Sequence, residues 1–311
     1  MYIQGVKKKI VFCYLMVTML LLLSVGITFA ADTTLQYDLD ENCEEIEEGI
    51  PVEVIAFGGF ISEADFNNSG ASFSQQNYEI GVTGGFFRMQ YQNSQFNWHD
   101  TEKLKFGRDK SKDPWKSLNT LSFGMSIPIE LSDAWFVMVD LDAYTGYEDR
   151  ITSDSFGYSG MAMVGYTVNE YFKIYAGAGV NKDPLRWGFA PVAGIQYEND
   201  DWLIAIGFPS TVVQYRVVPE WIVRTEYSST GGIYKLSKNS AAERNGFASI
   251  QGSVVGIYAD WIPMDGLMIS LGPEYHFDRS IRLYDKDGHR VGSKSKPDNA
   301  FGAALNISYG F

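Results

Sequence analysis

Histidine and cysteine are nearly absent from this chain, at three and two residues in 311. His99, His276 and His289 lie far apart and in no ligand-spaced motif, which speaks against a histidine-built metal centre. Cys13 and Cys43 sit in an N-terminal stretch, so no disulfide framework holds the body of the protein. Basic residues are also scarce. Twenty-five Lys and Arg against 38 Asp and Glu leave a net charge of −13, and nucleic acid, whose phosphates demand a basic footprint, is excluded as a partner. Long apolar runs are missing as well, except for one at the extreme N-terminus. With 20% charged residues and a mean hydropathy of −0.13, a bundle of membrane helices is excluded, because each would need about 20 apolar residues in succession. What the chain has is aromatic residues, at 15%, too many for a disordered polymer.

The single apolar run, Ile10 to Leu23, follows Lys7, Lys8 and Lys9 and leads to Thr28 and Ala30, small residues at −3 and −1 of a cut before Ala31. This is the layout of a secretory signal peptide, and we expect residues 1–30 to be removed on export. Loss of the three lysines takes the charge from −13 to −16. Cys13 leaves with them, and Cys43 follows Asp40-Glu41-Asn42, not the small apolar triplet of a lipid-attachment site. Residues 31–49 read as a flexible acidic leader, with eight acids and no base between Asp32 and Gly49.

From residue 50 to the end the apolar period is two. Leu121, Phe123, Met125, Ile127 and Ile129 alternate with Ser122, Gly124, Ser126 and Pro128; Trp135, Val137, Val139 and Leu141 alternate with Phe136, Met138, Asp140 and Asp142. Two architectures accept such strands: a soluble sandwich with its apolar faces inward, and a membrane barrel with them outward. The C-terminus separates the two. Phe301, Ala303, Leu305, Ile307, Tyr309 and Phe311 alternate with small or polar residues, and the chain stops on the aromatic, as outer-membrane barrels do where their assembly machinery binds. Short acidic turns that lead into aromatic strand starts recur at Ser132-Asp133, Asn169-Glu170, Asp200-Asp201, Pro219-Glu220 and Asp265-Gly266, while the stretches 93–116 and 281–299 are long and polar. Short turns on one side and long loops on the other belong to a barrel.

The alternation predicts an all-β, up-and-down antiparallel transmembrane β-barrel of fourteen strands: 50–60, 75–83, 85–98, 117–130, 135–147, 156–167, 171–181, 187–197, 202–208, 211–217, 220–233, 246–261, 267–280 and 299–311. Twelve is the alternative count, because 202–208 and 211–217 are shorter than the usual span and the break near Gly84-Gly85 rests on a phase slip.

Leu131 to Leu141, Glu198 to Val223 with its Gly-Phe-Pro turn, and the closing hairpin from Pro263 to Phe311 resemble an uncharacterised, domain-of-unknown-function family of bacterial outer-membrane β-barrels. The resemblance covers most of the mature chain. It implies a fold and an outer-membrane location; it brings no activity and no catalytic residue.

With apolar faces in lipid, the alternate residues line the lumen. Candidates are Glu79, Arg88, Asp140, Asp142, Lys173, Arg216, Arg224, Glu226, Glu274, His276 and Asp278, with Gln90 and Gln214 among them. Two readings stand side by side: a structural network of paired charges, and a polar path biased toward cations by Asp140, Asp142, Glu274 and Asp278. Fourteen strands fall between a filled interior and an open channel, and loop 99–116 is a candidate for narrowing the mouth. Its Lys103, Lys105, Arg108, Lys110, Lys112 and Lys116 would suit lipopolysaccharide phosphates, although an ordinary solvated loop is the preferred explanation.

Enzyme signatures are wanting. Ser270, Glu274 and His276 share one face of one strand, where side chains run parallel and do not converge. Asp285-Lys286-Asp287-Gly288 has its glycine at the fourth position, not the sixth of a calcium loop, and reads as a hairpin tip. We therefore expect no catalysis, no cofactor and no bound metal. The expected function is a porin-like channel for small polar solutes or ions. The rival is a non-conducting surface barrel of adhesive or envelope-structural role, and a lipid-modifying barrel comes third. Expected partners are outer-membrane lipid and lipopolysaccharide, and the barrel-assembly machinery through the strand ending at Phe311.

Overall fold

A computed structural model describes residues 51–66, 69–208 and 210–311. The expected signal peptide, the expected acidic leader and Cys43 lie outside the described residues. The chain forms strands β1 (Val52–Asp65), β2 (Ser72–Gly84), β3 (Phe87–His99), β4 (Ser117–Glu130), β5 (Trp135–Tyr147), β6 (Phe156–Thr167), β7 (Phe172–Lys182) and β8 (Trp187–Glu198). It continues through β9 (Trp202–Phe208), β10 (Thr211–Val218), β11 (Trp221–Lys235), β12 (Phe247–Met264), β13 (Leu267–Tyr284), β14 (Arg290–Ser295) and β15 (Ala300–Gly310).

Each of β1 to β13 pairs antiparallel with the next, β13 pairs with β15, and β15 pairs with β1, for example Val54 opposite Tyr309. That closes a ring of fourteen strands, each with a neighbour on both sides among the described residues. β14 stands apart from the ring and pairs only with the outer end of β13. The stretch 281–299, read from the sequence as a polar loop, is therefore a hairpin that carries β13 beyond the ring. Its apolar residues Ile281 and Leu283 are buried, and that burial supports the extension.

The outer surface is apolar. Phe123, Leu141, Val164, Val180, Ile206, Leu271 and Phe301 are all exposed, while Ser126, Asp140, Lys173, Gln196 and Ser270 on the opposite faces are buried. A closed antiparallel barrel with apolar side chains outward is a transmembrane barrel. Around the end that carries the short turns runs a ring of aromatic contacts: Trp135 with Tyr166, Tyr171 with Tyr197, Trp202 with Tyr215, and Trp221 with Trp261, at centroid distances of 4.8, 6.5, 4.6 and 6.0 Å. Amphipathic rings gather where lipid meets water.

The short turns follow their own residues. Between β12 and β13, Asp265-Gly266 turns with Gly266 at φ 75, where a side chain would be strained, and the Gly266 carbonyl accepts the Gly310 N–H at 2.8 Å. This bond ties the turn to the end of the closing strand.

Candidate functional site: the interior of the barrel

Two features shape the lumen. The first is a pinch. Tyr147 on β5 and Lys235 on β11 form a parallel bridge across the interior although five strands lie between them in the sheet. The Glu148 N–H donates to the Lys235 carbonyl at 2.9 Å, and the Glu148 carboxylate accepts the Ser237 N–H at 2.8 Å. Gly146 permits the approach, since any Cβ there would collide with the Ile233 carbonyl. Glu148 lies beyond the strand end, and burial holds its carboxyl above the ordinary glutamate range. Lys235 completes the clamp, reaching Asp154 at 2.5 Å and the Asn245 carbonyl at 2.7 Å.

The second feature is a lid. After a left-handed Asp100 and a 3₁₀ turn at Thr101–Lys103, the segment 100–116 folds over the mouth. Leu104, Phe106 and Trp115 are buried against Phe73, Phe96 and Trp98 from β2 and β3, Leu118 from β4, Tyr234 from β11, and Ile281 and Leu283 from β13. Trp98 donates its indole N–H to the Trp115 carbonyl at 2.7 Å, and the two rings meet edge-on. Loop 236–246 locks the lid from above: the Arg108 and Asp109 N–H groups bond the Ala241 carbonyl at 2.8 and 3.0 Å. The exposed lysines of the lid point away from this packing, so apolar anchoring and surface charge are separate properties of one segment.

The pinch divides the ring into two arcs. One arc, β5 to β8, is filled on its inner side by Phe136, Met138, Met161, Met163, Tyr175 and Val192. Elsewhere the interior holds open space. A cavity is bordered by β1, β2, β3, β11, β12 and β13, with Gln75, Asn77, Gln92, Ser94, Ser228, Thr230, Gln251, Glu274 and His276 on its wall beside Phe57, Ile61, Phe73, Phe96, Ile250 and Val254. A second cavity runs from Gln90, Ser122 and Asp142 past Tyr144 to Asp183 and Arg186, in the loop between β7 and β8. The two share Gln92, Gly231, Tyr234, Ile250 and Gln251 as walls. The two cavities therefore adjoin, and the second borders the long-loop end.

The sequence-derived candidates fall into groups. Glu79, Arg88, Asp140 and Asp142 cluster on the inner faces of β2, β3 and β5. Arg88 pairs with Asp142 at 2.6 Å, Gln90 bonds Glu79, and Ser126 bonds Asp140. Arg224, Glu226, Glu274 and His276 form a second cluster on β11 and β13. Arg224 binds Glu226 at 2.5 Å, Asp260 at 3.0 Å and the Ser270 hydroxyl at 3.0 Å, and lies over the Tyr258 ring. Tyr258 donates to Glu274 at 2.8 Å, and Glu274 meets His276 at 3.0 Å. A buried arginine between two carboxylates is stable only while all three are present. Lys173 faces inward on β7 within the field of Glu198, and Arg216 and Gln214 face inward on β10.

Asp278 departs from the pattern. Its backbone is left-handed at φ 50, it pairs with no residue of β12, and its side chain is exposed. This bulge passes the inward position to Arg279, which is buried over the Phe73 ring at 4.7 Å. Sequence reading also missed Glu53, Tyr258, Asp260 and Gln92. All four continue the inward parity of their strands, so that signal was available.

Outside the lumen, Asp285, Asp287 and His289 bring their ligand atoms within 4.8 Å of one another at the β13–β14 tip. The tip is the hairpin expected there, with Gly288 at φ 84 and the Asp285 carboxylate accepting the N–H groups of Asp287 and His289.

No family model and no curated protein matches the chain. Among solved structures, an outer membrane channel from Pseudomonas putida F1 is 9% identical, covering 89% of this chain and 100% of that chain, with a TM-score of 0.39. The KdgM porin in complex with disordered oligogalacturonate is 5% identical over 83% of this chain and 99% of that one, with a TM-score of 0.37. The NanC porin is 8% identical over 82% and 98%, with a TM-score of 0.36. The barrel assignment itself rests on the closed strand pairing described above.

Proposed function

We propose that this chain is an outer-membrane channel for small polar solutes or ions, with entry beside a packed lid and not through a wide open mouth. One observation carries the reading: two adjoining cavities with mixed polar and apolar walls lie inside a closed barrel, and one of them borders the loop between β7 and β8 at the long-loop end. A barrel serving only to display loops gains nothing from a wall of amides, hydroxyls and ion pairs at membrane depth, since each such group costs free energy to bury. Acids outnumber bases on the inner wall: Glu53, Glu79, Asp140, Asp142, Glu226, Asp260 and Glu274 face inward with Arg88, Lys173, Arg216, Arg224 and Arg279. Cations are therefore favoured over anions.

The outer-membrane location draws on the export signal, the apolar outer band and the terminal strand. Phe311 bonds Val52 through both of its backbone groups, at 2.9 and 3.0 Å, so the segment offered to an assembly machinery is also the one that closes the ring. The resemblance to uncharacterised outer-membrane barrels agrees with this location. Lipid and lipopolysaccharide surround such a barrel, and the exposed lysines of the lid stand at the long-loop end, where lipopolysaccharide phosphates lie.

A second reading has its own observation. The lid is anchored by a buried aromatic core, which suits a surface barrel that conducts nothing. Planar-bilayer recording decides between the two. A channel gives cation-selective current steps, and these enlarge when residues 103–114 are replaced by a short Gly-Ser link. A barrel that is folded by heat-dependent gel mobility and stays silent in both forms is a surface protein.

A further inference from the structure

We propose that the barrel wall carries a window between β8 and β11 through which a single-chain amphiphile with an uncharged head passes between the outer leaflet and the lumen. The inference rests on the channel reading only for the polar interior that the window joins. Strand lengths set the frame. β9 pairs with β8 only over 193–198, and the pairing of β10 with β11 ends at Thr211 opposite Tyr227. Residues 187–192 of β8 and 228–234 of β11 therefore run on with no strand between them among the described residues. Where β9 and β10 stand, three strand spacings, about 14 Å in all, separate β8 from β11; above their turn no strand fills that width. The gap is bridged over its top. Gly288 at the β13–β14 tip comes against the β7–β8 loop, where a Cβ on the glycine would stand 3.5 Å from Leu185 Cδ2.

The window lies at membrane height. Trp187 is ten residues along β8 from Tyr197 of the aromatic girdle, and at about 3.3 Å per residue and a tilt near about 40° this is a rise of about 25 Å, the height of the apolar band. The unpaired stretch of β8 thus stands in the outer half of the membrane, with Trp187 and Phe189 exposed on its outer face. Unpaired strand edges are tolerated at this depth only beside protein or a water-filled cavity. The second cavity supplies one. Ile233 and Ser249 are cross-strand partners on the face of β11 and β12 opposite to Tyr234 and Ala248, which pack under the lid. Ile233 and Ser249 nevertheless border the same space as the inward-facing Gln90 and Ser122, and so do Tyr234 and Ile250. The cavity therefore wraps the free edge of β11.

The wall and the rim together select the occupant. Gln90, Gln92, Thr120 and Ser122 offer amides and hydroxyls, while Ile233 and Tyr144 are largely apolar. The charges are engaged with one another, Asp142 with Arg88 at 2.6 Å and Asp183 with Arg186 at 3.8 Å. A charged head would have to break such a pair to find a partner. Inside the rim, Val192 at the base of the β8 edge packs with Met161 and Met163, adaptable side chains that accept apolar chains of varied shape. An uncharged polar head therefore fits the cavity, and its alkyl chain fits the gap and the lipid outside it.

The test places the mature barrel, with Cys43→Ser and Ser122→Cys, in phosphatidylcholine vesicles that contain N-dodecylmaleimide, whose small uncharged head must leave the lipid to reach the thiol. Labelling is followed by mass. Two variants close the window: one lengthens β9 and β10 by four residues each around an Asn-Gly turn, and the other carries Ala190→Trp and Ser229→Trp on the facing rims. The proposal predicts that the open barrel is labelled and that either closing variant, folded by gel mobility, slows labelling tenfold or more while its potassium chloride current is unchanged. An open barrel that stays unlabelled, or labelling as fast in the folded closing variants, overturns the window. If current persists in that case, the channel stands without it. Window-dependent labelling in a barrel that is silent in planar bilayers keeps the window and loses the channel; silence without such labelling loses both.

Discussion

The Glu148 N–H bonds the Lys235 carbonyl at 2.9 Å, joining β5 to β11 across the lumen of a barrel in which five strands separate them. A pore of even width would keep these strands apart. The contact exists because Gly146 has no side chain to hold the two walls away from each other. Gly146→Val should therefore force the walls apart or strain them, and overpacking of this kind costs about 1–3 kcal/mol. Gly58→Val is the control, since a Cβ at Gly58 meets nothing within 4 Å. Urea titration of the barrel in lipid vesicles should show a lower midpoint for the first variant and an unchanged one for the second. Equal midpoints would mean that the pinch carries no stability.

Arg224 is buried with Asp260 and Glu226 on either side of it. Arg224→Met leaves two buried carboxylates without their cation and should cost about 3–5 kcal/mol. The triple variant with Asp260→Asn and Glu226→Gln should regain most of that loss, because the orphaned charges are gone. The same urea titration reads both, and a triple variant no better than the single one would show that the network contributes through packing alone.

Asp140 and Asp142 stand on neighbouring inward positions of β5, and Asp142 is paired with Arg88. Replacing both with Asn leaves the arginine without its counter-ion, so the reversal potential in a salt gradient should move from the cation side toward the anion side. An unmoved potential would place the ion route elsewhere in the lumen.

At the β13–β14 tip the backbone N–H groups of His289 and Asp287 hold the Asp285 carboxyl below the ordinary aspartate range. A carboxylate whose folded value is depressed adds order at pH above the ordinary aspartate value, and that order is lost as pH falls through the folded value. Protection factors at Asp287 and His289, taken against the intrinsic exchange rate at each pH, should therefore drop on acidification below the ordinary aspartate range, while amides of the ring keep theirs. Asp285→Ala should show the lowered protection at neutral pH.

Much of the fold was legible because a strand with one face in lipid and one in the lumen repeats every two residues, and fourteen such runs can be read in order. Even the short β9–β10 pair and the break near Gly85 follow from it. What could not be read is non-local. Alternation is blind to a bulge, so Asp278 was placed inward where the structure turns Arg279 in. It is blind to chords across the ring, and nothing near Gly146 announces Ile233 as its neighbour. The lid had a local signal, Leu104, Phe106 and Trp115 within a run of lysines and acids, yet charge dominated the reading of that segment. Individual inward residues were readable from parity; their grouping into two clusters and two cavities depends on which strands face each other once the barrel is pinched.

The central claim is a route through the two cavities that share Gln92 as a wall. With Cys43 replaced by Ser, a single Gln92→Cys barrel in a planar bilayer can be exposed to a charged thiol reagent while its current is recorded, with Phe123→Cys on the lipid-facing surface as the comparison. The predicted result is a stepwise fall in current on modification of Gln92→Cys and none for Phe123→Cys. An unchanged current through a fully modified Gln92→Cys barrel would contradict the route.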